Sequence, residues 1–284
     1  MPYLKLRTQV GLKRIANSFV SIFGLIWLFI EPAALFWQEK FNFGWLGYGG
    51  LAVFSLIMAL VRNFPRRAIS CTLSAPNSTI EIKIGNLFEE KTHLVIGTND
   101  VFDTKLREII KPSAVQGQFL EHKNQYKYDL ARLDAEIEAA LRDKGVKGKR
   151  DNQKKQGKSW RYPIGTTITL GSPENCYFWT VYGQMGNDLK VQSNIDYIWT
   201  SLSNLWAEIR LKGNGMNVAM PIIGSDLART NLPRMALLQL IIISFIAASK
   251  KEFITKKLTI MVYPQDVDTI DFWELANFLP SVCF

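Results

Sequence analysis

The sequence predicts an α/β protein carried behind an N-terminal transmembrane helical hairpin. Three observations predict it. Two long apolar stretches lie close together before residue 65, each long enough for the roughly 20 residues that a membrane helix needs. Beyond them, short strand-like runs alternate with runs of helical period, the pattern of a three-layer α/β domain. The charge is also uneven. Residues 1–70 hold eight Lys and Arg against two acids, so +6 of the net +9 belongs to that segment.

From Ile15 to Gln38 the only charge is Glu31, and from Phe41 to Val61 there is none. Spans are expected at about 15–37 and 42–62. Trp27, Trp37, Trp45 and Tyr48 fit interfacial aromatic positions. Glu31 and Pro32 fall near the far end of the first span, where a kink and a carboxylate are tolerated. Lys5, Arg7, Lys13 and Arg14 precede the first span and Arg62, Arg66 and Arg67 follow the second, so both termini are expected in the cytoplasm of a multi-pass inner-membrane protein. A second span at once after the first argues against a cleaved signal peptide. Gly44, Gly47, Gly49 and Gly50 read either as the fit between the hairpin's own helices or as a self-association face.

The expected division is a tail and hairpin over 1–64 and a cytoplasmic ligand-binding domain over 65–284. In the latter, Thr79–Ile84 alternates as a strand and His93–Gly97 is a short apolar strand. Gln125–Arg142 has helical spacing. Lys144–Lys158, with seven basic residues and three Gly, reads as a mobile, solvated loop rather than a lipid or nucleic-acid contact. Strands are expected over Pro163–Leu170, Cys176–Tyr182, Asn217–Ile223 and Leu258–Tyr263, and helices over Asn194–Leu211, Pro233–Ser249 and Asp268–Leu279. Met235–Ser249 is too short for a third span and contains Gln239, so a helix buried against the sheet is expected.

Composition excludes several chemistries. A chain 48% hydrophobic and 21% charged is not disordered. Cys71, Cys176 and Cys283 offer neither a disulfide framework nor a CxxC zinc site, so no metal is expected and the compartment reads as reducing. His93 reads as a core or edge histidine and His122 as solvated. No GxxxxGK[ST], HExxH or GxSxG is present. Gly213-Asn-Gly215 lies after a helix and reads as its C-cap.

Two strand-to-turn junctions stand out, Val95–Thr104 and Met220–Thr230. Ligands of open α/β sheets sit off the carboxyl ends of strands. Gly224 permits close backbone approach to an anion, Ser225 offers a hydroxyl and Arg229 a positive charge.

In order, Ile84-Gly-Asn-Leu-Phe-Glu89, the strand ending Gly97-Thr-Asn99, Pro112–Gly117, Tyr162-Pro-Ile-Gly165 and Pro221-Ile-Ile-Gly-Ser225 resemble the successive loops of macro domains. With two spans ahead of it, the chain resembles the ThsA effector family of type II Thoeris antiphage systems. GTNDVFDT is the most specific phrase. The resemblance implies a macro-like α/β/α domain with a mixed sheet. It implies a ligand of the ADP-ribose type, in particular histidine-ADP-ribose, and no cofactor. The signal would be made by a TIR-domain partner and reach this chain by diffusion, with no nucleic acid involved. Binding would drive self-association, disruption of the lipid bilayer and abortive infection.

By the same resemblance, Asn86 stands where many macro domains use an Asp on adenine. Gly97, Thr98 and Asn99 form the loop whose asparagine orients the distal ribose. Asp100 and Asp103 would meet a cationic appendage or cap a helix. Gly117 would cover the phosphates, and Gly224, Ser225, Asp226 and Leu227 would form the second phosphate loop. Asp226 departs from the pattern, since an acid beside a diphosphate is unfavourable unless it points away. No residue is expected to be catalytic. The rivals are a membrane-tethered ADP-ribosyl hydrolase using Asn99 and a neighbouring carboxylate, and a plain anchor for a nucleotide-binding module.

Overall fold

The structure is a computed structural model that describes residues 9–36, 44–64, 68–121, 129–225 and 230–283. It divides into two compact units, residues 1–67 and 68–284.

The first unit holds two helices, α1 (Gln9–Phe36) and α2 (Gly44–Arg62). Both are long and apolar enough to cross a membrane, with mean hydropathy 2.0 and 1.8 over an 18-residue stretch within Gly11–Phe36 and Gly44–Arg62 respectively. At 1.5 Å per residue even the shorter spans about 28 Å, against a hydrocarbon core of about 30 Å. They run antiparallel. The Asn63 side-chain amide donates to Ser18 Oγ at 2.8 Å, and the Trp27 and Tyr48 rings lie 5.0 Å apart. The buried stripe of α2 is Leu51, Ser55 and Ala59. Gly44, Gly49 and Gly50 have open space where a Cβ would stand, so these three are not the fit between the hairpin's own helices.

The second unit is built on one mixed sheet. Its strands are β1 (Ala68–Leu73), β2 (Ser78–Ile84), β3 (His93–Asn99), β6 (Thr167–Ser172), β7 (Asn175–Met185), β9 (Val218–Pro221) and β10 (Lys257–Val262), in the order β1-β2-β10-β9-β3-β7-β6. The pairings from β2 to β7 are parallel, and the edge pairs β1–β2 and β6–β7 are antiparallel. A short β8 (Val191–Gln192) pairs with the end of β7, and β4 (Lys149–Arg150) pairs with β5 (Trp160–Arg161) outside the main sheet.

Alternation along each strand feeds two cores. Val95, Phe178, Val218, Met220 and Ile260 face helices α5 (Ile195–Lys212), α6 (Arg234–Lys251) and α7 (Phe272–Val282). Leu94, Ile96, Tyr177, Trp179 and Ala219 face α3 (Val115–Glu121) and α4 (Leu130–Asp143). This is the period-2 signature of a sheet covered on both faces. The apolar helix α6 is a core helix, as expected. Leu237, Leu238, Ile241, Ile242 and Phe245 are buried, and Trp206 Nε1 of α5 donates to Ser244 Oγ at 3.1 Å.

Three expectations change. The strand β1 and the helix α3 are additional elements. The expected helix over 125–142 runs over Leu130–Asp143, with the Asp129 carboxylate accepting the Arg132 N–H, while His122 lies outside the described residues. The basic segment 144–158 is largely exposed, as expected, but it is anchored rather than a free loop. It carries β4, and three of its lysines are ion-paired: Lys144 with Glu208, Lys154 with Asp103 and Lys158 with Asp134. Those carboxylates lie far along the chain, so the basic run reads as unpartnered until the fold brings them to it.

His93 is buried and structural. Its Nδ1 accepts the Cys176 N–H at 3.1 Å, which leaves Nε2 to donate to the Gly213 carbonyl at 3.2 Å. Burial lowers its pKa.

Candidate functional site

The parallel strands β2, β10, β9, β3 and β7 all end at one edge of the sheet, and a cavity of about 510 Å³ opens there. Small-molecule sites typically hold about 300–1,000 Å³. Each strand end supplies part of the wall: Gly85 and Asn86 after β2, Met261 and Tyr263 at β10, Pro221 to Ser225 at β9, Gly97 and Asn99 on β3, and Tyr182 and Met185 on β7. Ile109, Ile110 and Lys111, with Gln116 of α3, close one side.

Asn99 is the informative side chain. It is 1% exposed and lines the cavity. Its Oδ1 accepts the Val101 N–H at 3.1 Å and the Asp103 N–H at 3.3 Å. That fixes the orientation of the amide and leaves Nδ2 buried with no hydrogen-bond partner. An orphaned buried donor carries a desolvation penalty of about 1–3 kcal/mol, which a ligand acceptor would relieve. A register shift between β3 and β7 at Thr98/Asn99 re-aims the strand at this point.

The rest of the wall mixes apolar side chains with polar ones, among them Lys111, Gln116, Lys190 and Gln265. Gly97 has no room for a side chain, because a Cβ there would stand 2.7 Å from the Tyr182 ring. Desolvation pushes the Tyr182 phenol up to about 12, so it stays a hydrogen-bond donor at neutral pH. Asn86 Oδ1 accepts the Phe88 N–H at 3.1 Å and caps a short 3-10 turn, Leu87–Glu89. Gly224 has φ 89° and its carbonyl accepts from Thr230 Oγ1 at 2.9 Å. Ser225 Oγ donates to the Ile222 carbonyl at 3.1 Å. The one carboxylate in this lining, among the described residues, is Asp266, ion-paired with Arg234 at 3.0 Å.

Of the residues singled out in the sequence, Asn86, Gly97, Asn99, Gly224 and Ser225 meet in this cavity. Thr98 is buried beside it but outside the lining. Asp226, Leu227 and Arg229 lie outside the described residues. Asp100, Asp103 and Gly117 are corrections. Both carboxylates are buried, point away from the cavity and cap no helix. Asp100 Oδ2 takes Arg161 at 2.6 Å and its Oδ1 the Met185 N–H at 2.8 Å. Asp103 Oδ1 takes the Lys158 N–H at 2.7 Å, with Lys154 Nζ 3.5 Å from Oδ2. Burial raises the Asp103 pKa, opposed by the Lys158 amide and Lys154. Gly117 is packed inside α3 against the Lys111 carbonyl rather than facing a ligand. The helix α6 begins only at Arg234, so Gly224 and Ser225 do not form its amino end.

Tyr182, Gln116, Lys111 and Tyr263 were not singled out from the sequence. Tyr182 was accessible by rule, standing at the carboxyl end of an expected strand. Gln116 and Lys111 come from a segment without a periodic signature.

A family model described as the macro domain of Thoeris protein ThsA matches residues 80–263, from β2 to the wall residue Tyr263. The chain belongs to this family. A Thoeris protein ThsA from Bacillus amyloliquefaciens (strain Y2) is 25% identical over 235 residues, covering 81% of this chain and 76% of that protein. Among solved structures, a point mutant of the Oceanobacillus iheyensis macrodomain superposes with TM-score 0.51 at 14% identity, over 76% of this chain and 99% of that one. The same macrodomain with ADP gives TM-score 0.50 at 14% identity, with the same coverage. The protein is therefore a Thoeris defence protein whose α/β unit is a macro domain, behind two helices long and apolar enough to cross a membrane.

Proposed function

We propose that the cavity binds an ADP-ribose-type nucleotide and that this binding gates the helical hairpin. The observation that carries the reading is Asn99, a wall residue at the carboxyl ends of the parallel strands whose Nδ2 is buried and unpartnered. The neighbouring macrodomain with ADP supports the ligand class. The signal is histidine-ADP-ribose made by a TIR-domain partner. The hairpin lies in the inner membrane with both termini cytoplasmic. Ligand favours an assembled state, and clustered hairpins breach the bilayer, causing abortive infection. For this, the ligand must bind the assembled state more tightly than the resting one. The protein acts as a binder rather than a hydrolase. Supporting this, Asp100 and Asp103, the carboxylates next to Asn99, are committed to cations away from the cavity.

The test is calorimetry on the full chain in detergent with ADP-ribose, histidine-ADP-ribose, cyclic ADP-ribose and NAD, with particle size followed by light scattering. Tight binding of one derivative, growth in size and no turnover are expected. Asn99→Asp keeps the turn's acceptor but removes the donor, and should weaken binding by about tenfold or more, about 1.4 kcal/mol. Failure of the unaltered chain to bind any of the four refutes the reading.

A further inference from the structure

Asn99 presents its donor only because its own Oδ1 is engaged by the Val101 and Asp103 amides. The residues that hold that turn lie on a separate segment, the β4–β5 strap over 149–161. Lys154 of the strap is a lysine whose side chain is only 1% exposed, and it lies against an Asp103 side chain exposed to the same 1%. The strap backbone is moulded to the same carboxylate. Lys158 N–H donates to it, and a Cβ on Gly157 would stand 2.4 Å from Asp103 Oδ1. At its other end Arg161 bridges Asp100, Asp151 and the Met185 carbonyl, while Asp100 also accepts the Met185 N–H. Both latches lead straight into the cavity wall. Asp103 accepts Gln116 Nε2 on its backbone carbonyl at 2.6 Å, and Gln116 and Met185 are lining residues.

We infer that Lys154 and Arg161 are positioning residues of the nucleotide site, holding the Asn99 turn and the Gln116 and Met185 walls through Asp103 and Asp100. The inference rests on the nucleotide-binding reading. Its physical basis is that removing one partner of a buried ion pair strands the other charge, whereas removing both does not. With Lys154 gone, Asp103 keeps the Lys158 N–H but loses the cation beside its Oδ2, and a shift of the uncompensated carboxylate carries with it the amide that orients Asn99.

The experiment titrates ADP-ribose into the full chain in detergent for the unaltered protein, Lys154→Met, the double variant Asp103→Asn with Lys154→Met, and Leu205→Ala. Leu205 is buried in the core on the opposite face of the sheet and serves as a control for general destabilisation. Lys154→Met should weaken binding by about tenfold, the double variant should return to within about threefold, and Leu205→Ala should bind as the unaltered chain does. Hydrogen exchange at the Val101 and Asp103 amides reads the latch without ligand, and both should exchange faster in Lys154→Met alone. Unchanged affinity in Lys154→Met, or a double variant no better than the single one, overturns the inference. If Lys154→Met does not fold, Arg161→Gln takes its place with the same expected loss, and full affinity there overturns the Arg161 latch. If the unaltered chain binds none of ADP-ribose, histidine-ADP-ribose, cyclic ADP-ribose and NAD while the amides of Lys154→Met respond as described, the nucleotide reading fails and the inference falls with it. The two failures are thereby distinguished.

Discussion

Replacing Gly117 by Ala sets two effects of opposite sign against each other. Helix propensity alone favours Ala by about 1 kcal/mol in a helix interior. Packing opposes it. A Cβ at Gly117 would stand 2.0 Å from the Lys111 carbonyl oxygen, 2.9 Å from its carbon and 3.0 Å from Pro112 Cα. All three are backbone atoms, so no rotamer change relieves the clash. Ordinary contact begins near 3.4 Å, so the 111–112 backbone must withdraw by about 1.4 Å. Overpacking of this kind costs about 1–3 kcal/mol and occasionally more, which outweighs the propensity gain. Since about 1 kcal/mol moves Tm by about 2–4 °C in a domain of this size, Gly117→Ala should lower Tm measurably. It should also weaken ADP-ribose binding, because Ile110 and Lys111 are wall residues. The assay is thermal unfolding by circular dichroism, paired with calorimetric titration. A Tm equal to or above that of the unaltered chain, with affinity intact, would refute the packing argument and restore propensity as the larger effect.

Other consequences are equally direct. Gly97→Ala places a methyl group against the Tyr182 ring and should weaken nucleotide binding by about tenfold and lower Tm, less than Gly117→Ala does because a side chain rather than backbone must shift; a variant that binds normally removes Tyr182 from the wall. The lowered His93 pKa carries a sign. The unfolded imidazole, near 6.5, binds a proton more readily than the buried one, so stability is full above about pH 6.5 and falls as pH drops through that value toward the folded pKa. His93→Gln should flatten this part of the pH–stability curve relative to the unaltered chain, and parallel curves would remove His93 as the cause.

The sheet was legible because its strands carry their own signal. Ile80, Ile82 and Ile84 alternate, the apolar run at His93–Gly97 sits between turn residues, and Pro233 marks the approach to α6. The strand β1 had the same signal in Ile69, Cys71 and Leu73, hidden by its adjacency to the arginine-rich linker. In the site, Gly224 was readable because a left-handed turn after a strand favours glycine, whereas Asn86 and Asn99 were read from the resemblance to macro-domain loops. The roles of Asp100 and Asp103 were not. Nothing local distinguishes an acid that faces a ligand from one that anchors a strap some fifty residues later. That depends on where the strap is laid down, which a run of lysines and glycines does not disclose.

The position of β10 has a consequence for how the chain is made. It lies between β2 and β9, and its Lys257 meets Glu81 across 176 residues of sequence. Closing a sheet over so wide a separation is entropically slow. During synthesis β2 emerges early and keeps one edge unpaired until β10 follows. The apolar helix α6 also emerges before β10 is available to complete the sheet that buries it. The nascent chain thus presents three hydrophobic segments in succession, two suited to lipid and one to a core not yet assembled. The order of emergence leaves the apolar surface of α6 uncovered until the last strand of the sheet has followed it.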